Sequence, residues 1–100
     1  MAYFKYIIVQ VKGNPTPILF HPVLSHKDVF QAMKNHNLVD ADIDENDSCR
    51  SAGEVSVSSG VGNDPDDFTV HATGESVTLK IRSNPETDAR IIKRDLDYYR

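Results

Sequence analysis

The stretch ESVTLKIRSNPETDARIIKRDLDYY, Glu75 to Tyr99, decides the fold, because it reads as a strand running straight into a capped helix. Val77, Leu79 and Ile81 alternate with Thr78, Lys80 and Arg82, the period-two pattern of a half-buried strand. Ser83-Asn84-Pro85-Glu86 then announces a helix. Asn84 serves as N-cap with Pro85 at the first helical position, where a missing N–H costs nothing; with Ser83 as the cap, Ser83 and Glu86 form a capping box. Beyond it, Ala89, Ile92, Leu96 and Tyr99 draw one apolar stripe that Ile91 widens. Such a helix lies across the sheet to which its own preceding strand belongs.

Working back to the start, Tyr3 to Val11 is rich in aromatic and β-branched residues. Phe4, Tyr6 and Ile8 fall on one face and Ile7, Val9 and Val11 on the other, which predicts a central strand. Gly13-Asn14-Pro15-Thr16-Pro17 is turn chemistry, so Pro17 to Phe20 is expected to pair back through a longer loop. Ser25 followed by Asp28 resembles a capping box, and Leu24 with Val29 would form a hydrophobic staple. A helix of about three turns should follow, with Val29, Phe30, Ala32 and Met33 on its apolar face and Asn35 to Asn37 as its stop. Leu38 to Ser51 reads as an acidic surface loop, Ala52 to Ser58 as a third strand and Ser59 to Asp67 as a flexible connection. Phe68, Val70 and Ala72 mark a fourth strand, and Val77 to Ile81 would close a hairpin with it. The expected architecture is α+β: a mostly antiparallel five-stranded sheet with two helices on one face, in ββα-βββ-α order, as one domain over residues 1–100. Ile7, Val9 and Val11 would then share the second face, either exposed as a partner or dimer patch or covered by the acidic loop.

Composition narrows the function classes. The 39% hydrophobic and 26% charged residues suit a soluble globular protein, and no apolar run approaches a membrane span. The first residues lack the features of a signal peptide, and the single Cys49 has no partner for an internal disulfide, so a cytoplasmic protein is expected. The net charge is −4. It is divided unevenly: from Asp40 to Gly74 nine acids face one base, Arg50, a net −8, which leaves +4 on the rest of the chain. Arg82, Arg90, Lys93 and Arg94 are interleaved with Glu86, Asp88 and Asp95, so no basic stripe for direct nucleic-acid binding forms.

No catalytic set stands out. Asp40, Asp42 and Asp44 repeat the opening of a calcium loop, but Glu45 stands where the loop needs glycine and Ser51 where it needs a bidentate glutamate, so a solvated acidic loop is the expectation. His21 and His26 lack the spacing of a helical metal pair. Gly60-Val61-Gly62 lacks the third glycine and the helix of a dinucleotide turn, and nothing else calls for a cofactor. Cys49 sits beside Arg50, yet without a placed base it reads as an inert thiol.

A resemblance runs through most of the chain. It is carried by Ile18-Leu19-Phe20, Leu24-Ser25-His26-Lys27-Asp28-Val29, Ser51-Ala52-Gly53, Gly74-Glu75-Ser76-Val77-Thr78-Leu79, Arg82-Ser83 and Asp88-Ala89-Arg90-Ile91-Ile92. Together these resemble a group of small bacteriophage and prophage proteins to which no chemistry is assigned; Glu54 departs from the group, which prefers an aromatic after the Ala-Gly pair. The resemblance implies a protein acting in the cytoplasm of a bacterial host by binding and blocking host factors. The leading expectation is therefore a non-enzymatic interaction protein, countering host defence or regulating a host enzyme. Its acidic surface, Asp40, Asp42, Asp44, Glu45, Asp47, Asp64, Asp66 and Asp67, would face a host protein, and a homo-oligomer is compatible with it. A related form binds a small anionic ligand through His71, Lys80, Arg82 or the N-terminus of a capped helix. The alternative is a small metal-dependent hydrolase using His21, His26, Asp28 and acids of residues 40–47. A DNA-mimicking inhibitor is the third option, for which −8 over two loops is marginal.

Overall fold

The computed structural model describes residues 2–39, 49–59 and 68–98. They form an α+β fold with four strands in one antiparallel sheet, a separate two-stranded sheet and two helices. The first two strands, β1 (Ala2–Val11) and β2 (Asn14–Phe20), are joined by Lys12 and Gly13, both at positive φ. Two central residues of that kind make a two-residue type I′ turn, whose twist matches the strands it joins. The expected longer loop is thus replaced by a tight hairpin, and Pro15 and Pro17 lie inside β2. They are tolerated because β2 is an edge of the sheet, whose order is β2-β1-β3-β4.

β1 is interior, as its two apolar faces predict: Tyr6, Ile7, Ile8 and Val9 are all buried. It pairs with β3 (Cys49–Ser59), which begins within the segment expected to be loop. The ladder slips between Ile8 and Val9, where Ile8 faces Ser51 and Val9 faces Cys49, so Arg50 is the extra residue of a bulge. β4 (Phe68–Thr73) completes the sheet, with Phe68, Val70 and Ala72 inward and Thr69, His71 and Thr73 outward.

The helices lie on opposite faces of the sheet, not on one. α2 (Pro85–Tyr98) covers the face of Tyr6, Ile8, Val55, Phe68, Val70 and Ala72 with Ala89, Ile91, Ile92 and Leu96. The other face, of Ile7, Val9, Phe20, Cys49 and Ala52, is covered by α1 (His26–Asn35) through Phe30, Val29 and Met33. A central strand with large aliphatics on both sides needs cover on both, and one helix per face provides it. Ala32, expected in the apolar face of α1, is exposed. The caps of α1 follow the sequence. Ser25 Oγ accepts the Asp28 N–H at 3.1 Å, and Asn37 ends the helix at φ 57°, with the Leu38 N–H donating to Met33 O at 2.9 Å.

The fifth strand of the expected sheet is absent among the described residues. Glu75–Ser76 (β5) and Ile81–Arg82 (β6) pair only with each other around a turn. Ser76 is buried, and its hydroxyl accepts the Leu79 N–H at 3.1 Å, so the chain folds back before alternation can continue. Lys80 takes φ 57° in that turn. Leu79 and Ile81 tuck against the cluster around Ile7, whereas Val77 is left 80% exposed.

Candidate functional site

The most polar buried group joins the first strand to the last helix. Asp88 lies on the buried stripe of α2, one turn before Ile92, and is only 2% exposed. Its Oδ2 accepts from the Tyr6 hydroxyl at 2.5 Å and from the Asn84 N–H at 2.8 Å, and its Oδ1 accepts from the Ser51 hydroxyl at 2.8 Å. Asn84 O in turn accepts the Asp88 N–H, so Asp88 closes the first turn of α2 and Pro85 is the first helical residue. The reach-back that a Ser83–Glu86 box would supply is made by Asp88. Burial first, and then the hydrogen bond and charge of Asp88, push the Tyr6 phenol far above its ordinary range, so Tyr6 stays a neutral donor. No buried side-chain nitrogen or oxygen among the described residues lacks a partner. This carboxylate holds the sheet and the helix together.

A cleft of about 290 Å³ opens beside it, lined by Pro15, Arg50, Ser51, Asn84, Thr87 and Asp88 among others. The bulge brings Arg50 into the same cleft as its neighbour Ser51, where regular alternation would send the two to opposite faces. Cys49, one residue before, is buried on the other face, and its Sγ lies 3.6 Å from Ser51 O. Burial pushes the Cys49 thiol up to about 12, which keeps it protonated and unreactive.

A second cleft, of about 220 Å³, lies where the start of β1, the entry to α1 and the β5–β6 hairpin meet, lined by Lys5, Ser25, His26, Glu54, Glu75, Val77 and Thr78. His26 is 6% exposed, its ring edge-on to Phe20, and its Nε2 is 2.8 Å from Gly53 O. Lys5 Nζ donates to Leu24 O at 3.0 Å, tying β1 to the loop before α1. Glu54 is half-buried between Lys5 and Thr73 in the ladder and accepts the Tyr3 hydroxyl, which raises the Tyr3 pKa. Val77, 80% exposed, is in the wall of this cleft, and two further exposed apolar side chains adjoin residues of that wall: Leu24 at 46%, next to Ser25, and Tyr3 at 51%, bonded to Glu54. Sequence reading missed this surface because it placed Val77 in a buried strand.

The anticipated site residues are dispersed. His71 is exposed on β4, Lys80 stands in the hairpin turn, and the Arg82 guanidinium lies 4.0 Å from Glu75 in a loose, exposed ion pair. None of the three lines either cleft. His21 is exposed, its Nδ1 accepting the Val23 N–H at 3.0 Å, and Asp28 is exposed on the first turn of α1, so neither joins His26 in its buried position. Among the described residues no three His, Cys, Asp or Glu gather as a metal site would require. Asp40, Asp42, Asp44, Glu45, Asp47, Asp64, Asp66 and Asp67, the expected acidic surface, lie outside the described residues. No described helix is long and apolar enough to cross a membrane. No protein-family model matches the chain, and neither a curated protein nor a solved structure matches it.

Proposed function

We propose that this chain is a non-enzymatic binding protein that docks on a bacterial host protein through the surface around the Lys5–His26–Glu54–Glu75 cleft. The observation that carries the reading is the exposed Val77 in the wall of one polar depression, with exposed Leu24 next to its Ser25 and exposed Tyr3 bonded to its Glu54. Single exposed hydrophobics are ordinary, whereas several around one cleft resemble the anchors and rim of a protein interface. The resemblance to phage and prophage proteins supplies the setting, a host cytoplasm in which the partner is a host defence or regulatory factor. The chemistry of the interior supports binding over catalysis: Asp88 spends its oxygens on three donors, Tyr6 is held neutral, and Cys49 is held as a thiol.

The test is a photo-reactive benzoylphenylalanine placed at Val77 in bacterial cells, with the same residue at Lys12, at the far end of β1, as control. An adduct formed from position 77, absent from position 12 and abolished by Leu24→Asp, supports the docking surface. Equal adducts from both positions, or none from 77, refute it.

A second reading, a small anionic ligand, is favoured by the bulge that brings Arg50 into the cleft at the N-terminus of α2. Calorimetric titration with a nucleoside monophosphate should then show binding that Arg50→Ala abolishes; no heat from the native chain rejects it.

A further inference from the structure

We infer that the outer edge of β4 pairs with the same edge of a second copy of this chain, joining two four-stranded sheets into one. The sheet order β2-β1-β3-β4 leaves two edge strands, and the sequence treats them oppositely. β2 carries Pro15 and Pro17 opposite Gln10 and Ile8 of β1. Prolines on an edge strand sit with the nitrogen turned outward, so the outer row of β2 lacks these two donors and is a poor template for a further strand. β4, Phe-Thr-Val-His-Ala-Thr, has no proline and no lysine, arginine, aspartate or glutamate, and its ladder to β3 runs without a bulge from Phe68 to Thr73. Every second residue of such a strand turns its N–H and C=O away from the sheet, and among the described residues no strand lies beyond it. A straight row of alternating donors and acceptors is complemented by another extended backbone.

Two observations make that backbone the chain's own. The apolar cluster under α2 is closed at its centre, where Tyr6, Ile8, Val55 and Ile92 are at most 1% exposed, but along β4 Phe68, Val70 and Ala72 remain 7–9% exposed. The strand is also complementary to itself. An antiparallel copy centred on Val70 sets Val70 against Val70, Phe68 against Ala72 and Thr69 against His71. Directly opposed residues share a face, so this register lays apolar on apolar beside α2, large against small, and polar on polar outside. Centring on His71 would instead set Phe68 against Gly74, beyond the end of the strand. With no formally charged side chain in β4, the pairing brings no like charges together across the ladder. The edge shares no residue with the docking cleft. A contact built on one strand a side is small among specific interfaces, so the dimer should dissociate at roughly 10–100 µM.

The experiment is sedimentation velocity and amide hydrogen exchange on the full chain between about 5 and about 500 µM, a span that brackets this constant. The sedimenting mass should rise from one chain towards two, and every second amide of β4 should exchange at least about threefold more slowly at the upper concentration. The T69K/H71K variant sets ammonium against ammonium at both polar pairs and should remain a single chain throughout, with an unchanged melting transition at the lowest concentration. T69E/H71E should do the same. Mixing the two should restore the two-chain species, because each lysine then meets a glutamate. Should either variant not fold, the exchange pattern of the native chain decides alone. A native chain that stays single at the upper concentration overturns the pairing and leaves the edge to a strand of another protein. So does a dimer that persists in T69K/H71K, or one whose protected amides lie outside β4.

Discussion

The Tyr6 hydroxyl donates to Asp88 Oδ2 across 82 residues of sequence, so the first strand and the last helix share one buried carboxylate. Asp88→Ala would leave two buried donors, on Tyr6 and Ser51, and the partly exposed Asn84 N–H without their acceptor. The expected loss is about 3 kcal/mol or more, against roughly 1.5–3 kcal/mol for Tyr6→Phe, which removes one donor to a charged acceptor. Urea denaturation at neutral pH measures both; an Asp88→Ala loss below that of Tyr6→Phe contradicts the network.

Stability should fall on the alkaline side. The unfolded chain releases the Cys49 proton near the ordinary 9.0, whereas the folded chain holds it up to about 12. The contribution is thus complete below pH 9 and is lost as pH rises towards 12, at up to about 1.4 kcal/mol per unit. Tyr6, raised by burial and then by Asp88, adds a second loss beginning near its ordinary 10.0. Cys49→Ala should flatten the dependence between pH 9 and 10, as followed by denaturant midpoints at half-unit steps. An unchanged slope would mean that the thiol is free to ionise in the folded chain.

Gly53 is held by close packing of the sheet against the start of α2. A Cβ there would run into the Thr73 carbonyl oxygen and approach Ser83 Cβ to 3.1 Å. The backbone oxygen has no room to yield, so Gly53→Ala should cost about 1–3 kcal/mol as an overpacking change. Thermal melting tests this, and a neutral outcome would mean that β4 can shift.

The hairpin turn offers a gain. Lys12 adopts φ 51° ahead of Gly13 at φ 78°, a conformation that an asparagine tolerates better than a lysine. Lys12→Asn should stabilise the protein by roughly 0.5–1 kcal/mol, read as a higher urea midpoint with an unchanged slope.

Local signals carried much of the fold. Ser25 capped α1 and Asn37 stopped it because a hydroxyl and a left-handed amide residue act within one turn of chain. Two apolar faces on Tyr6 to Val9 correctly demanded an interior strand, since burial on both sides is written into consecutive residues. The same alternation misled at Val77, Leu79 and Ile81. There the Ser76 hydroxyl competes for the Leu79 N–H and bends the chain, and periodicity does not register a side chain bonding to backbone.

The sequence by itself determined the number and order of the helices, the first four strands and the central place of β1, because these follow from capping and from apolar period. Only the tertiary structure decided which face each helix covers, that Asp88 would serve Tyr6 and Ser51, and that Val77 would share one cleft with Glu54 and His26. Those relations join residues tens of positions apart, and what selects them is the burial of two sheet faces at once, a property of no single stretch of chain.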